Sequence, residues 1–175
     1  MNIDNHDTKL AMPLDHKPSG FRVPKDRVEA VLTLSSGASM RGCVFVAGGS
    51  ARHTGPERVG ELLNTETGFF PFEVQDAGSV RTVLVNSRHV VMVALADNEA
   101  SHAPGYDVAR RQIASVLMSS GQRVIGAVRV YEPEGRDRLS DWGRQPEVFR
   151  YVETPDTTFI VNMAHVVEVS EVIDE

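Results

Sequence analysis

Two stretches of the chain decide its fold, because one is a copy of the other. Residues 32–46 read LTLSSGASMRGCVFV, and residues 116–130 read VLMSSGQRVIGAVRV. In both stretches Ser-Ser-Gly is followed, five residues after its glycine, by a second glycine. Further along, residues 83–93 (VLVNSRHVVMV) and 159–169 (FIVNMAHVVEV) share the pattern Val-Asn-x-x-His-Val-Val. Matching blocks in the same order indicate an internal duplication.

Both copies carry the period of β-strands, because apolar residues alternate with polar or smaller ones. The Ser-Ser-Gly between two such runs predicts a hairpin. Gly42 and Gly126 fall inside the second strand of each hairpin, where glycine marks a bulge, a bend or a close backbone approach. A short helix is predicted at 56–64, between the second and third strands, and a tight turn at 86–88 separates the last two. We therefore predict an all-β chain in which each copy is a five-stranded, strongly bent antiparallel sheet.

These patterns divide the chain into four segments. Residues 1–25 are predicted to form a disordered head that acts as a tether. Repeat 1 covers 26–95, a linker covers 96–109, and repeat 2 covers 110–172. A unit of this size is marginal for independent folding, so we expect the two repeats to bury surface against each other.

Charge and composition exclude several classes of function. The net charge is −6, but the segments 26–95 and 110–170 are nearly neutral, which disfavours binding to a phosphate backbone. Cys43 is the only cysteine, so a disulfide or a cysteine-based zinc site within one chain is excluded. No apolar run approaches the ~20 residues that cross a bilayer. We expect a soluble cytoplasmic protein without a cofactor, a metal or a membrane partner.

The repeated blocks resemble the Sm-like fold of Sm and Hfq-type proteins. The resemblance rests on the paired glycines of each hairpin and on the Val-Asn-x-x-His-Val-Val blocks, and it covers both repeats. It implies two tandem Sm-like barrels. The chain departs from the family in the place of its predicted helix, which falls between strands two and three, whereas the family usually has its helix before strand one. The chain also resembles uncharacterised bacterial proteins with a segment such as Arg-Leu-Ser-Asp at 138–141.

The turns before the last strands hold the candidate ligand or RNA residues, Asn86, His89, Asn162 and His165. Asparagine suits such a turn without any ligand, because its side chain caps the backbone. A histidine here is more often half-buried and hydrogen-bonded to a neighbouring strand than a metal ligand, since no second ligand type recurs beside it. We therefore favour structural roles and keep base or nucleotide contact as the alternative.

The last strand of repeat 1 is a candidate interface. In repeat 2 this strand carries Glu168, which predicts that Val167 and Val169 face inward. By equivalence, Val90 and Met92 face outward in repeat 1, where an apolar surface needs a cover. Repeat 2 or another subunit would supply that cover.

No catalytic motif is present: Ser-Ser-Gly lies in a hairpin turn, and there is no phosphate loop or dinucleotide glycine pattern. We expect a non-enzymatic assembly or protein-interaction module that binds itself or another protein through sheet edges. The alternative is a ring-forming RNA-binding protein that uses the turns before the last strands. An enzyme with a composite site between the repeats is a third hypothesis, and it requires a polar cleft there.

Overall fold

A computed structural model describes residues 24–66, 68–133, 135 and 138–172. The head predicted at 1–25 lies outside the described residues except for its last two, and Lys25 already belongs to the first strand. Repeat 1 contains the strands β1 (Lys25–Leu34), β2 (Ser39–Ala47), β3 (Phe69–Asp76), β4 (Ser79–Asn86) and β5 (Val90–Leu95). Repeat 2 contains β6 (Arg110–Met118), β7 (Arg123–Val130), β8 (Phe149–Glu153), β9 (Thr158–Asn162) and β10 (Val166–Glu171).

Two short helices occupy equivalent places in the repeats. Helix α1 (Val59–Thr65) lies between β2 and β3, and α2 (Leu139–Arg144) lies between β7 and β8. One turn of 3-10 helix precedes the last strand of each repeat, at Ser87–His89 and Met163–His165. The element order of repeat 1 therefore recurs in repeat 2, with its helix between the second and third strands as the sequence predicts.

All ten strands form one antiparallel sheet rather than two separate barrels. The strand order is β10-β6-β7-β8-β9-β5-β1-β2-β3-β4. The two outer strands, β10 and β4, do not pair with each other, so the sheet is not closed, and two tandem barrels are not confirmed. The repeats merge because the last strand of repeat 1, β5, pairs with the fourth strand of repeat 2, β9.

The interior glycines of β2 and β7 allow a close approach of neighbouring backbone. A Cβ atom added at Gly42 would collide with the carbonyl of Glu73, and one at Gly126 would collide with the carbonyl of Glu153. The two colliding carbonyls belong to glutamates at equivalent positions of the third strands, β3 and β8. The sequence prediction of a special backbone position at both glycines therefore has a physical cause in each copy.

The buried side chains form two clusters, one under each repeat. The first includes Leu32, Val44, Phe70 and Phe72, and the second includes Val116 and Trp142, among others. The clusters exchange residues at the boundary: Phe149 and Ile160 of repeat 2 join the first, and Val91 and Met92 of repeat 1 join the second. The two cores are thus interlocked across the β5–β9 pairing.

Candidate functional site

The repeats join through a continuous β-ladder between β5 and β9. Met92 lies opposite Val161, and Leu95 lies opposite Thr158. We call this pairing, together with α1 and the linker 96–109 where they contact β8, the internal junction. It shows how one of these units recognises another.

Helix α1 of repeat 1 extends the junction onto strand β8. The Asn64 side-chain amide donates to the Phe149 carbonyl over 2.8 Å, and its oxygen accepts from the Phe149 backbone N–H over 2.9 Å. One side chain therefore satisfies both backbone groups of one strand residue, as a neighbouring strand would. The equivalent position in α2 is Arg144, whose side chain is largely exposed.

A buried carboxylate from the linker connects α1 to β8. Glu99 accepts from the backbone N–H groups of Val59 and Gly60 over 2.8 and 2.9 Å, and from the hydroxyl of Tyr151 over 2.7 Å. Burial and the neighbouring Glu99 carboxylate raise the pKa of Tyr151, which keeps this hydroxyl protonated as a donor. The negative charge also lies at the positive end of the helix, where it is stabilising.

The remaining linker contacts converge on Glu153, at the end of β8. Its carboxylate accepts from Asn98 over 3.1 Å and from the Tyr106 hydroxyl over 2.5 Å, and it pairs with Arg129 over 3.2 Å. The Arg129 guanidinium lies 4.0 Å from the centre of the Tyr106 ring. The linker is therefore a structural part of the junction rather than a free connection.

The structure places two of the predicted turn residues inside the internal junction. The Asn162 side-chain amide donates to the Val90 carbonyl over 2.8 Å, and Nε2 of His165 lies 2.9 Å from the Arg88 carbonyl oxygen. Because a carbonyl oxygen only accepts, His165 carries its proton on Nε2. Both side chains of repeat 2 are thus occupied by the backbone of repeat 1.

The other two predicted residues lie at the outer edge of the sheet, beside β4. Asn86 caps its turn by accepting from the Arg88 backbone N–H over 3.0 Å, and His89 Nδ1 lies 2.9 Å from the Ser35 hydroxyl. Among the residues that the structure describes, neither the Asn86 amide nitrogen nor Nε2 of His89 has a hydrogen-bond partner. The two turns are in contact, because Nε2 of His165 lies 2.9 Å from the carbonyl oxygen of Arg88, which belongs to the turn Ser87–His89.

The predicted facing of the last strands is wrong for Val90 and for Val167. Val90 packs in the core of repeat 1, whereas Met92 packs in the core of repeat 2, so they do not share an outward face. Val167 is 66% exposed. The cause is a register shift in both repeats, at Val90 to Met92 and at Val166 to Glu168, which inserts one residue and breaks the two-residue alternation.

The outer hairpin β3–β4 exposes apolar residues whose equivalents in repeat 2 are covered at the internal junction. Phe69 and Leu84 are 61% and 69% exposed, whereas their equivalents Phe149 and Ile160 are 4% and 0% exposed. The equivalence is set by the ladder, because Phe69 lies opposite Asn86 as Phe149 lies opposite Asn162. One repeat thus presents an uncovered copy of a surface that is covered in the other.

A cleft of about 320 Å³ lies beside the junction, where α1, β8 and α2 meet. Several of its charged groups are engaged with the protein: Arg58 pairs with Glu61 over 3.3 Å, and the Arg150 guanidinium donates to backbone carbonyls, including that of Trp142. Burial would raise the pKa of Glu61, but hydrogen bonds from the Arg58 backbone N–H, His53 and Ser50 lower it to about 2. These contacts hold α1 and its preceding loop in place.

The described part of the chain has neither a cluster of metal-ligating side chains nor a helix that could span a membrane. No three His, Cys, Asp or Glu side chains in it are arranged to hold a metal ion. None of its helices has the length and apolar composition that crossing a bilayer requires. Comparisons with protein-family models, curated proteins and solved structures give no match.

Sequence reasoning missed Asn64 and Glu99, which hold the junction together. At the position equivalent to Asn64, repeat 2 carries Arg144, and Glu99 lies in the linker, outside both repeats, so the repeat comparison could not single them out.

Proposed function

We propose that this chain is a non-enzymatic assembly module whose copies join head to tail, the outer strand β10 of one copy adding to the outer strand β4 of the next. The resemblance of the repeats to Sm-like units forms part of the same proposal. The observation that carries it is the internal junction, in which the strand equivalent to β10 already pairs with the strand equivalent to β4.

The backbone of both outer strands is available for such pairing. Within the described part of the chain, β4 has eight residues and pairs on one side only, with β3, and β10 pairs only with β6. An open strand edge presents unpaired N–H and C=O groups that template the addition of another strand. The two edges are different, so their contact is heterologous and builds a ring or a filament rather than a closed twofold dimer.

The side chains beside β4 support the same partner. Phe69 and Leu84 correspond to the two residues that repeat 1 covers in repeat 2, and exposed apolar side chains this close together are typical of a contact surface. The offset of 76 residues between the repeats predicts the register: Val169 of one copy opposite Leu84 of the next, as Val93 is opposite Ile160. The RNA alternative is less well supported, because Asn162 and His165 are occupied within the junction.

The test is the molar mass of the purified chain, measured by size-exclusion chromatography with light scattering over a concentration series. We expect masses above the 19.2 kDa of one chain that rise with concentration. Changing Phe69→Ser together with Leu84→Ser is expected to return the protein to 19.2 kDa, because it removes the apolar part of the contact.

The matched control is Ile125→Ser, which removes an exposed apolar side chain from the inner strand β7 and should leave the mass unchanged. A wild-type chain that stays at one mass of 19.2 kDa throughout the series would overturn self-assembly. Co-elution of nucleic acid with the wild type, read from absorbance at 260 nm, would favour the RNA-binding alternative.

A further inference from the structure

The two turns that precede the last strands are held in the same way by their own repeats. The Ser119 hydroxyl lies 3.0 Å from Nδ1 of His165, as the Ser35 hydroxyl lies 2.9 Å from Nδ1 of His89. Both serines belong to the repeated Ser-Ser-Gly turn. With the serine hydroxyl as the donor to Nδ1, a neutral imidazole carries its proton on Nε2, and in this tautomer both rings present the same outward donor.

The asparagines are equally matched. Oδ1 of Asn162 accepts from the Ala164 backbone N–H over 3.0 Å, and Oδ1 of Asn86 accepts from the Arg88 backbone N–H over the same distance. Each side chain therefore has its oxygen fixed by its own turn, which leaves the amide nitrogen directed away from it. The pair of donors is preorganised before any partner arrives.

In repeat 2 these two donors have a defined use. The His165 donor lies on the carbonyl of Arg88, and the Asn162 donor lies on the carbonyl of Val90. Both acceptors are backbone carbonyls, one in the 3-10 turn Ser87–His89 and one at the first residue of β5. They are two residues apart, so the donors bind the neighbouring strand in one register only.

We propose that Asn86 and His89 form a latch that binds the carbonyls of Val166 and Ala164 in a second copy of the chain. These two residues correspond to Val90 and Arg88: Val166 is the half-buried first residue of the outer strand β10, and Ala164 is exposed in the 3-10 turn before it. This inference rests on the proposed head-to-tail assembly and assigns to the outer turn a role in register and polarity. It replaces the alternative in which Asn86 and His89 contact a base.

The latch would fix the register in which β10 of one copy pairs with β4 of the next. A strand that slips by one residue would present the wrong carbonyls to both donors and would leave two polar groups unpaired at a desolvated contact. In a twofold pairing of β4 with β4 the strands run antiparallel, so each latch would face the start of the other β4, near Ser79, instead of the carbonyls of Ala164 and Val166. The latch therefore favours β10 over the twofold arrangement.

The decisive variants are two replacements of one histidine. His89→Asn keeps an amide atom near the position of Nδ1 for Ser35 but removes the outer donor, and we expect about tenfold weaker association. His89→Gln places its amide nitrogen near the position of Nε2, and we expect association within about threefold of wild type. Association is measured by sedimentation over a concentration series, and the thermal midpoint of each variant is recorded alongside.

The matched control is His165→Asn, the same change inside the internal junction. We expect it to lower the thermal midpoint, because its acceptor, the Arg88 carbonyl, is part of the folded chain. His89→Asn should leave the midpoint of the dissociated chain within about 2 °C of wild type. Equal association of wild type and His89→Asn would overturn the latch while the head-to-tail assembly stands, whereas a monomeric wild type would overturn the assembly itself.

Register and polarity are tested by disulfide trapping in the full chain. A Leu84→Cys chain mixed with a Val169→Cys chain should cross-link to each other, because opposed residues on paired strands lie within disulfide range. Cross-links between two Leu84→Cys chains in place of the mixed product would overturn both the register and the polarity. The native Cys43 is buried, and a mixture of wild-type chains gives the background.

Discussion

The internal junction and the outer edges are made from equivalent strands. The strands at the junction pair with each other, whereas, within the described part of the chain, the outer strands β4 and β10 each have an unpaired edge. At the junction β5 and β9 pair, and Asn64 and Glu99 fasten α1 to β8. At the outer edges, α2 offers the exposed Arg144 in place of Asn64. The comparison teaches that the repeated strands of both units can pair, and that Asn64 and Glu99 stabilise only one such pairing, the one between β5 and β9.

The largest expected effect comes from removing a contact that stabilises the internal junction. Glu99→Ala should destabilise the chain by about 4 kcal/mol, because it leaves the donors of Val59, Gly60 and Tyr151 without their carboxylate. Urea unfolding followed by circular dichroism measures the change. Asp97→Ala, at an exposed position of the same linker, is the control and should change the free energy of unfolding by under about 0.5 kcal/mol. A loss below about 1 kcal/mol for Glu99→Ala would mean that the linker does not seal the junction.

A second prediction concerns acid unfolding and the loop that supports α1. The folded-state pKa of Glu61 is lowered to about 2 from its ordinary value of 4.5, so its contribution to stability is present above about pH 4.5 and is lost as the pH falls toward 2. Glu61→Gln should lower the free energy of unfolding by about 2 kcal/mol at pH 7 and should flatten this acid dependence. Urea titrations at several pH values measure both effects.

The matched change in repeat 2 is Asp141→Asn, at the equivalent position of α2. Its carboxylate accepts from the Arg138 backbone N–H over 3.1 Å and has a distant contact of 3.9 Å with Arg144. Because it has fewer donors than Glu61, we expect a smaller loss at pH 7. Equal losses in the two repeats would show that α1 is not held more firmly than α2.

The third prediction concerns a substitution that makes the outer strand β10 resemble β5, its equivalent at the internal junction. Glu168 of β10 occupies the position of Met92, which is buried across the internal junction, so head-to-tail pairing would desolvate a charge there. Glu168→Met should strengthen association about tenfold, or about 1.4 kcal/mol, as measured by sedimentation. Glu29→Met, on the inner strand β1, is the control that changes charge equally. Unchanged association of Glu168→Met would argue against a repeat of the junction geometry at β10.

Much of the local structure could be predicted from the sequence. The hairpin at Ser-Ser-Gly, the interior glycines and the turn at Asn86 follow from backbone rules that act within a few residues. The facing of Val90 and Val167 could not, because the inserted residue at the start of each last strand breaks the alternation without a characteristic residue type. The merging of two expected barrels into one sheet also escaped prediction, since ladder pairing uses backbone groups that every residue carries.

The sequence by itself determined that the chain holds two copies of one five-stranded unit, with the same serine, asparagine and histidine at each turn. Only the tertiary structure decided which copy of that turn is occupied. Identical residues have different surroundings because β5 adds to one edge of β9, whereas no strand of the described chain adds to the outer edge of β4. Burial and hydrogen-bond partners at a sheet edge depend on the next strand, and its identity is a property of the fold rather than of the local residues.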